Sequence, residues 1–507
     1  MHSEINHSES KPSEESERLS RHDSAFVFLD NSVTVHEGCG LSIFDGHVPF
    51  ENMRDRMFNV IPDVPKFLQR PVHVPLGLGH PTWEYDPDFD VTYHLQQLHL
   101  EPPGSEEQLW KLAERLANER LDPNRPMWRI YLIQGMSGGR SASFAKIHHA
   151  LTDGMGAMKV MMANIETERV VPDPLPPDTP IPVMPNVPPD PSAWARTSRA
   201  LRDNARATAT GIGGLPKRFG RYGRRAKSPH FWQALGLVWR YLQSPTIRFP
   251  FNKGLSGRVH FGTFRLPLAE MRAIRAGSGG TVNDVLLATV AGGFDKYAVR
   301  NGHDTAGKFI RLQVPTNIRT EETDVPLGNH VGSAPLLVPF GVEHPVERLH
   351  GITESMREAK ACNVGYGMRV FLDGFEAALT PPGMRLVFGF AAWRPYQWLA
   401  AKIPKKPNLH LYVSNMPGPE FATYTLGSKL MARHPMGPVI PASGLACAAM
   451  SCENHLQVTF TADAETVPDV RQLAEESAEA FVELRRAAGV EAMDTDSSDP
   501  FAEGLAK

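Results

Sequence analysis

The chain has 507 residues, of which 41% are hydrophobic and 21% are charged, and its formal net charge is −3. This balance is typical of soluble globular proteins, and the length predicts more than one domain. The lack of excess positive charge argues against nucleic acid as a partner, and the scattered cysteines, which form no CxxC pair, argue against a disulfide framework or a zinc ribbon.

Both ends of the chain are predicted to be disordered. Residues 1–20 and 491–507 are mostly polar, so they have little apolar surface to bury. The first of these segments also lacks the apolar core of a signal peptide. No apolar run reaches the length of about 18 residues that a membrane-spanning helix needs.

Between the ends, helical and strand-like patterns alternate. Predicted helices have apolar residues at helical spacing, and predicted strands have alternating or continuous apolar residues. In chain order these elements are a helix at 105–121, strands at 127–134 and 141–149, a strand at 260–268, a helix at 282–300, strands at 309–319, 409–418 and 455–463, and a helix at 467–489. Because both halves mix the two types, the predicted fold class is α+β.

A proline-rich segment divides the chain. Residues 171–191 contain ten prolines, and proline fixes φ and lacks the N–H that helices and sheets require. A stiff, extended linker is therefore predicted. The resulting boundaries give an N-terminal domain at 21–170, a proline-rich and basic linker with helical parts at 171–250, and a C-terminal domain at 251–490.

Two adjacent histidines stand where the strand at 141–149 ends. His148 and His149 precede the turn signal Asp153-Gly154. Since neighbouring side chains on a strand point to opposite faces, we expect one ring to face a cavity and the other to pack. The residues alone leave three interpretations open: a zinc site, which lacks further ligands at suitable spacing, a structural pair, and a general base that uses a pKa near about 6.5.

Five motifs together resemble one known family. Residues 148–154 match HHxxxDG, a motif of CoA- and carrier-dependent acyltransferases with the chloramphenicol acetyltransferase-like fold. The other four resemble motifs of the bacterial wax ester synthase/diacylglycerol acyltransferase family: PMW at 126–128 for PLW, NDVLLA at 283–288 for NDVVLA, LGN at 327–329, and VSNMPGP at 413–419 for VSNVPGP. The resemblance covers about residues 21–485, with Met127 as a departure from the PLW motif.

The resemblance implies a fold and a reaction. The fold is two chloramphenicol acetyltransferase-like (condensation-domain-like) domains, joined by the proline-rich linker and meeting along a channel. Fatty acyl-CoA is then the donor substrate and diacylglycerol or a long-chain alcohol the acceptor, with no cofactor and no metal. The implied catalytic residues are His149 as general base, with His148 and Asp153 beside it, and Gly154 supports the loop.

Four further residues are candidates from the other motifs. Asn283 and Ser414 are candidates for stabilising the oxyanion, although Asn283 equally fits a helix cap. Pro126 and Trp128 fit packing or a channel wall better than chemistry. The segment GMSGG at 135–139 matches the GxSxG elbow of serine hydrolases, but it lies between two predicted strands, so a hairpin loop is predicted instead.

Two segments bear on membrane contact. The basic segment 216–227 fits either a solvated loop or a contact with CoA phosphates or anionic lipid, and the aromatic segment 384–404 fits either buried core or a membrane interface. We expect a cytoplasmic protein peripherally associated with the inner membrane face or with lipid inclusions. Two other functions stay open: a carrier- or CoA-dependent condensation or polyketide-associated acyltransferase, and a non-catalytic lipid-inclusion-binding protein.

Overall fold

The structure is a computed structural model, and most of the chain between residues 17 and 493 is described in it. The described ranges are 17–31, 33–61, 64–151, 165–176, 178–180, 191–206, 229–252, 254–317, 331–361, 409–440 and 443–493, with scattered positions between 383 and 407. Several predicted features lie outside them: Asp153 and Gly154, the LGN motif, the basic segment 216–227 and most of 384–404.

The first six-stranded sheet draws its strands from both halves of the chain. Its strands are β2 (Glu37–Phe44), β5 (Leu95–His99), β6 (Trp128–Gln134), β7 (Ser141–His148), β12 (Tyr424–Thr425) and β13 (Ser428–Met436). They are ordered β12-β13-β2-β7-β6-β5. All neighbours are antiparallel except β5 and β6.

The second six-stranded sheet belongs to the later part of the chain. Its strands are β8 (Val259–Pro267), β9 (Phe309–Asn317), β10 (Val331–Pro339), β11 (Leu411–Met416), β14 (Leu445–Cys452) and β15 (His455–Asp463). They are ordered β10-β9-β11-β14-β15-β8, with β11 parallel to both of its neighbours. A small antiparallel sheet of β1 (Glu17–Arg18), β4 (Thr82–Tyr85) and β3 (Gln69–Val72) completes the strands named here.

Helices cover the sheets. In chain order the described helices are α1 (Arg21–Leu29), α2 (Phe50–Val60), α3 (Val91–His94), α4 (Glu106–Asn118), α5 (193–206), α6 (Pro229–Gln243), α7 (Leu268–Ser278), α8 (Val282–Arg300), α9 (Pro345–Ala361) and α10 (Val470–Ala487). The predicted α+β class is therefore confirmed, and the elements predicted at 105–121, 127–134, 260–268, 282–300 and 467–489 are present with shifts of a few residues at their ends.

Local signals explain where two of these helices begin. Ser105 and Gln108 form a reciprocal capping box at the start of α4, and Thr281 and Asp284 form another at the start of α8. Each box satisfies backbone N–H groups that a helix leaves without partners in its first turn. Residues 135–140 link the antiparallel strands β6 and β7, so the hairpin predicted around GMSGG is also confirmed.

The two sheets have differently arranged cores. The second sheet packs one face against α7, α8, α9 and α10, and its buried apolar residues form one large cluster. Helices α8 and α10 are in close contact at Gly293. A Cβ atom at this position would lie 2.1 Å from Ser477 Oγ of α10, so the contact requires glycine. The first sheet has a separate apolar cluster on each face, one with α4 and one with α2 and the small sheet.

The two sheets meet where β13 packs across β14 and β15. A second link joins the end of α4 to β8. The side-chain amide of Asn118 donates to Val259 O at 2.9 Å and accepts from Val259 N at 2.8 Å. The side chain thereby continues the hydrogen-bonding edge of β8.

Two predicted boundaries need correction. Glu17–Arg18, which the sequence assigned to the disordered tail, pairs with β4, and the buried Leu19 donates its N–H to Pro81 O. The strands β12 and β13, which the sequence assigned to the C-terminal domain, join the first sheet beside β2. No local pattern reveals either pairing, because both partners are distant in sequence. The other domain boundaries stay predictions.

Candidate active site

His148 and His149 lie at the end of β7 and have different surroundings. His148, the last residue of the strand, is only 2% exposed, whereas His149 is partly buried. His148 is paired with Glu37 of β2, and Ile147 is paired with Gly38. Because side chains alternate along a strand, the two histidines lie on opposite faces of the sheet. The opposite faces agree with the strand pattern, and the expectation that one ring faces a cavity stays a prediction.

The carboxylate of Asp30 holds His148. The N–H of Ala150 donates to His148 Nδ1 at 3.1 Å, so His148 carries its proton on Nε2 and donates it to Asp30 Oδ2 at 2.8 Å. His36 Nδ1 and the His36 backbone N–H both donate to the other oxygen of Asp30, at 2.8 and 3.1 Å. Both ring nitrogens of His148 are therefore engaged, and its ring has a defined orientation.

The same contacts keep Asp30 ionised. Burial by itself raises the pKa of this carboxyl, but hydrogen bonds from His148 and His36 and electrostatic attraction by the two rings outweigh burial. The pKa of Asp30 consequently lies well below its ordinary range. A permanent negative charge is thus held at the end of β7.

His149 is kept neutral by its surroundings. Burial lowers its pKa to about 3, and the neighbouring rings of His36, His148 and His22 contribute in the same direction. Its ring stacks on Phe26, with centroids 5.7 Å apart and an interplanar angle of 27°. At neutral pH His149 is therefore an unprotonated imidazole, the form that accepts a proton.

Backbone contacts place this ring beside β2. His149 N–H donates to His36 O at 2.8 Å, so the peptide of His149 is held by the residue that also holds Asp30. A Cβ added at Gly38 would lie 3.7 Å from His149 Nε2. The ring of His149 therefore lies beside Gly38 of β2.

Two of the groups around the histidines belong to the helix α1 and its C-terminal cap. Asp30 is its C-terminal cap and donates its N–H to Phe26 O, so Phe26 and Asp30 stand one helical turn apart on the same side. Asp30, His36 and Phe26 were not predicted from the sequence. The available signal was weak: Asp30-Asn31 is a turn sequence between α1 and β2, which begins at Glu37, and turns of this kind are common.

A buried ion pair lies beside His148 on the same face. Lys146 Nζ lies 2.7 Å from Glu37 Oε2, and both side chains are almost fully buried. Lys146 Nζ also donates to the carbonyls of Leu116 and Ala117 at the end of α4, each at 3.2 Å. A positive charge at the C-terminal end of a helix is favourable. Through these contacts Lys146 of β7 connects the end of α4 with β2.

The candidates of the second half have mainly structural contacts. Asn415 Nδ2 donates to Asn283 Oδ1 at 3.3 Å, which brings two of the sequence motifs together. Ser414 lies in β11, paired with Ala448 of β14, and is partly buried. Gly418 is packed tightly, because a Cβ there would lie 2.0 Å from Ser451 O.

Pro126 and Trp128 are buried within the first half. Trp128 Nε1 donates to Phe67 O at 2.8 Å, and its ring stacks on Phe67 and on His94. The backbone N–H of Trp128 donates to Pro126 O at 2.8 Å. Burial lowers the pKa of His94 to about 4, so this stack is neutral. These contacts fit the packing role that the sequence favoured for Pro126 and Trp128.

A cleft of about 60 Å³ lies between the two sheets. Glu37, Cys39, Asn118 and Met436 are among its lining residues. Since side chains alternate along β2, Gly38 and His149 lie on the other side of the strand from this cleft. Among the described residues, no group of three or more His, Cys, Asp or Glu side chains is arranged to hold a metal ion. The predicted roles of Asp153 and Gly154 stay predictions, because both lie outside the described residues.

Sequence and structure comparisons place this site in a family. Residues 19–286 match the wax ester synthase/diacylglycerol acyltransferase catalytic domain, and residues 327–485 match the C-terminal domain of the same family. A putative diacylglycerol O-acyltransferase of Mycobacterium tuberculosis is 28% identical over 440 residues, which cover 81% of this chain and 85% of the relative. A probable diacylglycerol O-acyltransferase of the same species is 25% identical over 481 residues, covering 92% and 98%.

Solved structures show the same fold. The wax ester synthase/diacylglycerol acyltransferase from Marinobacter aquaeolei VT8 superposes with a TM-score of 0.64 at 21% identity, covering 94% of this chain and all of that one. The first condensation domain of the CDA synthetase superposes with a TM-score of 0.55 at 15% identity, covering 95% and 97%. These matches confirm the predicted two-domain, condensation-domain-like fold.

None of the helices in the described part of the chain combines the length and apolar character that a membrane crossing needs. The catalytic-domain match covers more than half of the chain and contains the paired histidines. The resemblance stated from the five motifs is thereby confirmed. The chain is an acyltransferase that belongs to the wax ester synthase/diacylglycerol acyltransferase family.

Proposed function

We propose that the protein transfers a long-chain acyl group from acyl-CoA to the hydroxyl of diacylglycerol, and also to long-chain alcohols, with His149 as the general base. The observation that carries this proposal is the pair of histidines at the end of β7. One ring is locked by Asp30, and the other is neutral and partly buried. The proposed reaction uses no metal and no cofactor, and nucleic acid is not a partner.

The proposed reaction begins at His149. Its neutral imidazole accepts the proton of the acceptor hydroxyl as the hydroxyl oxygen attacks the thioester carbonyl. The tetrahedral intermediate then collapses, the C–S bond breaks, and His149 returns the proton to the sulfur so that CoA leaves as the thiol. Positioned proton transfer of this kind contributes about 10²–10⁴-fold to the rate, and alignment of the two substrates contributes further.

The low pKa of His149 keeps the resting ring unprotonated, and a base with so low a pKa needs its protonated form to be stabilised during the reaction. At rest the ring is desolvated and lies near other histidines, which disfavours its protonated form. When negative charge develops on the tetrahedral oxygen, the protonated ring gains a nearby opposite charge. His148 does not compete for the proton, because both of its ring nitrogens are engaged. In this proposal Asp153 and Gly154 support the loop that follows.

The location of the protein is part of the same proposal. Both substrates carry long apolar chains, so the enzyme has to receive them from a lipid phase. We infer peripheral association with the inner membrane face or with lipid inclusions, from the cytoplasmic side. Asn283 and Ser414 remain candidates for the oxyanion donor; Asn283 is the second residue of α8, and Ser414 precedes Asn415, which donates to Asn283.

Release of free CoA tests the proposal. The purified full-length protein is incubated with palmitoyl-CoA and either diolein or hexadecanol, and CoA and the lipid products are followed. His149→Ala should lower turnover by about 10²-fold or more. The matched control is His99→Ala, which removes an exposed histidine from the edge strand β5 and should leave turnover unchanged.

The outcomes separate the proposal from its alternatives. Near-normal turnover by His149→Ala would place the base elsewhere. Transfer that occurs only from an acyl-carrier thioester would indicate the condensation or polyketide-associated alternative. Lipid binding without release of CoA from any donor would indicate a non-catalytic lipid-inclusion-binding protein.

A further inference from the structure

His36 is a buried imidazole beside His149 that the proposed mechanism does not use. It is only 5% exposed. The N–H of His149 donates to His36 O at 2.8 Å, which continues the antiparallel pairing of β2 with β7 one residue beyond the pair Glu37 and His148. Residues that lie opposite each other in such a pairing have Cβ atoms about 5 Å apart. His36 and His149 are therefore direct neighbours across the end of the two strands.

The ring of Phe26 joins the two imidazoles in one site. Its centroid lies 5.3 Å from that of His36, with an interplanar angle of 56°, and 5.7 Å from that of His149, with an angle of 27°. Both imidazoles thus contact the same aromatic ring. After burial, the ring of His36 is the strongest cause of the lowered pKa of His149. A substrate that is bound at His149 is therefore within reach of His36.

Asp30 determines which nitrogen of His36 carries the proton. The carboxylate of Asp30 is ionised, so it only accepts hydrogen bonds. His36 Nδ1 consequently carries a proton and donates it to Asp30 Oδ1 at 2.8 Å. The backbone N–H of His36 donates to the same oxygen at 3.1 Å. In the neutral ring, Nε2 then holds the lone pair and is a hydrogen-bond acceptor.

This Nε2 has no hydrogen-bond partner within the described part of the chain. It lies on the edge of the ring that points away from Asp30. His148 differs, because the backbone of Ala150 and the carboxylate of Asp30 engage both of its nitrogens. Polar atoms of buried side chains rarely stay without a hydrogen bond, since that is unfavourable. A bound molecule that donates a hydrogen bond to His36 Nε2 would remove this cost.

The chemistry of the substrates limits which group can donate. Acyl chains carry no donor, the esters of diacylglycerol only accept, and the acceptor hydroxyl gives its proton to His149 in the proposed mechanism. The donor group that remains close to the reacting centre is the amide N–H of the pantetheine arm of CoA, two methylene groups from the thioester sulfur. His149 returns the proton to that sulfur, so the sulfur lies beside His149. The amide N–H then falls about one cross-strand spacing away, which is the position of His36.

We propose that His36 Nε2 accepts a hydrogen bond from this pantetheine amide and thereby aligns the thioester with His149. His36 is then a binding residue for the donor substrate, and Asp30 holds it in the tautomer that accepts. The inference rests on the proposed function, because it takes a pantetheine thioester as the donor. It deepens that function by naming the part of the donor that is recognised.

A matched pair of small donors tests the inference. One is the S-octanoyl thioester of N-acetylcysteamine, which has the amide N–H at the pantetheine spacing. The other is the S-octanoyl thioester of mercaptoethyl acetate, in which an ester oxygen replaces only that N–H. The full-length protein is assayed with each donor and hexadecanol, and free thiol is followed. For the wild type, kcat/KM should be about tenfold or more higher with the amide donor, because the ester oxygen cannot donate to His36.

Two substitutions at His36 separate binding from a structural role. His36→Asn removes Nε2 but keeps an amide nitrogen near the position of Nδ1, so the contact with Asp30 is retained. In this variant kcat/KM should fall about tenfold with the amide donor and change little with the ester donor, so that their ratio approaches one. His36→Gln places an amide oxygen near the position of Nε2 and should restore part of the ratio. A purely structural defect would lower kcat/KM for both donors alike.

The matched control is His99→Ala, which removes an exposed histidine from β5 and should keep the wild-type ratio. Equal kcat/KM of the wild type for the two donors would overturn the inference, because the N–H would then not be recognised. A wild-type ratio in His36→Asn would also overturn it, because another group would then bind the amide. Thermal denaturation of each variant shows whether the compared proteins are folded.

Equilibrium binding separates this inference from the proposed function. If neither donor releases thiol with any acceptor, the proposed function fails, and the same two donors are compared by titration calorimetry. The wild type should still bind the amide donor about tenfold more tightly, and His36→Asn should bind both alike. Equal binding by the wild type would overturn the role of His36. If thiol is released but the two donors react equally, the proposed function stands and the role of His36 fails.

Discussion

The two six-stranded sheets have similar architectures. They differ in the residues that surround the sequence motifs. In the first sheet, the paired strands β2 and β7 hold buried charge: Lys146 with Glu37, and His148 with Asp30. In the second sheet, the marked residues form a contact between neutral amides, Asn415 and Asn283, above one large apolar cluster.

The difference fits the proposal that the first half holds the reacting groups. Buried charges are unfavourable unless they are paired and hydrogen-bonded, so a cluster of them indicates a site whose geometry matters more than its stability. The second sheet also buries charge, in Arg311 of β9 and Asp463 of β15, but neither belongs to a motif, and their hydrogen bonds include several to backbone atoms. In the proposed mechanism the first half supplies the base, and β13 connects its sheet to the second sheet.

The largest expected effect is a loss of stability when the buried ion pair of the first half is broken. Lys146→Met leaves the buried Glu37 carboxylate without its partner, which should lower the free energy of unfolding by about 3–5 kcal/mol. Urea denaturation followed by circular dichroism measures the change. The control Lys111→Met breaks an exposed pair with Glu107 and should leave the free energy of unfolding unchanged within error.

A double variant checks the cause of that loss. Lys146→Met combined with Glu37→Gln removes both charges and should recover part of the lost stability, because no unpaired buried charge is left. A single Lys146→Met variant that unfolds at the wild-type urea concentration would contradict the comparison, since the buried charge would then carry no cost.

An intermediate effect is expected for the carboxylate that holds the histidines. Asp30 is a positioning residue, since it contacts His148 and His36 and acts on His149 through the His36 carbonyl. Asp30→Asn removes the charge that accepts these hydrogen bonds, each worth about 1.5–3 kcal/mol. We expect kcat to fall by about 10–100-fold, with KM for palmitoyl-CoA little changed.

The division between kcat and KM separates positioning from a general structural defect. Partial unfolding would lower the amount of active enzyme and the thermal midpoint together, so thermal denaturation is measured on the same sample. The exposed Asp304→Asn serves as the control and should have wild-type kcat. Wild-type kcat in Asp30→Asn would show that the histidines do not need this carboxylate.

The smallest effect is expected in the second half. Asn283→Ala removes a neutral hydrogen bond at 3.3 Å from Asn415, worth about 0.5–1.5 kcal/mol, so turnover should fall by about tenfold at most. Asn415→Ala should match it, and the double variant should be no worse than either. A loss as large as that of His149→Ala would instead identify Asn283 as an oxyanion donor and bring the second half into the chemistry.

Much of the fold was readable from local patterns. The apolar spacing located α4 and α8 to within a few residues, but the cap predicted at Asn283 was wrong, because Thr281 caps α8 together with Asp284. The alternation of β7 predicted that His148 and His149 face opposite ways, which is how the structure places them. These features depend on residues within one or two turns of each other, so the sequence contains the whole signal.

The aromatic segment 384–404 shows where local patterns fail. Its composition favoured a buried core, yet the described side chains Leu386, Phe390 and Trp393 are exposed, so for these residues that interpretation was wrong. An apolar pattern does not say what covers it.

The sequence by itself determined the family, the α+β class and the strand end that bears the two histidines, because motifs and capping signals are written in neighbouring residues. Only the tertiary structure decided what surrounds those histidines. Asp30 and His148 are 118 positions apart, and Asn283 and Asn415 are 132 apart. Such pairs arise when chain folding brings distant segments together, and no local spacing encodes them.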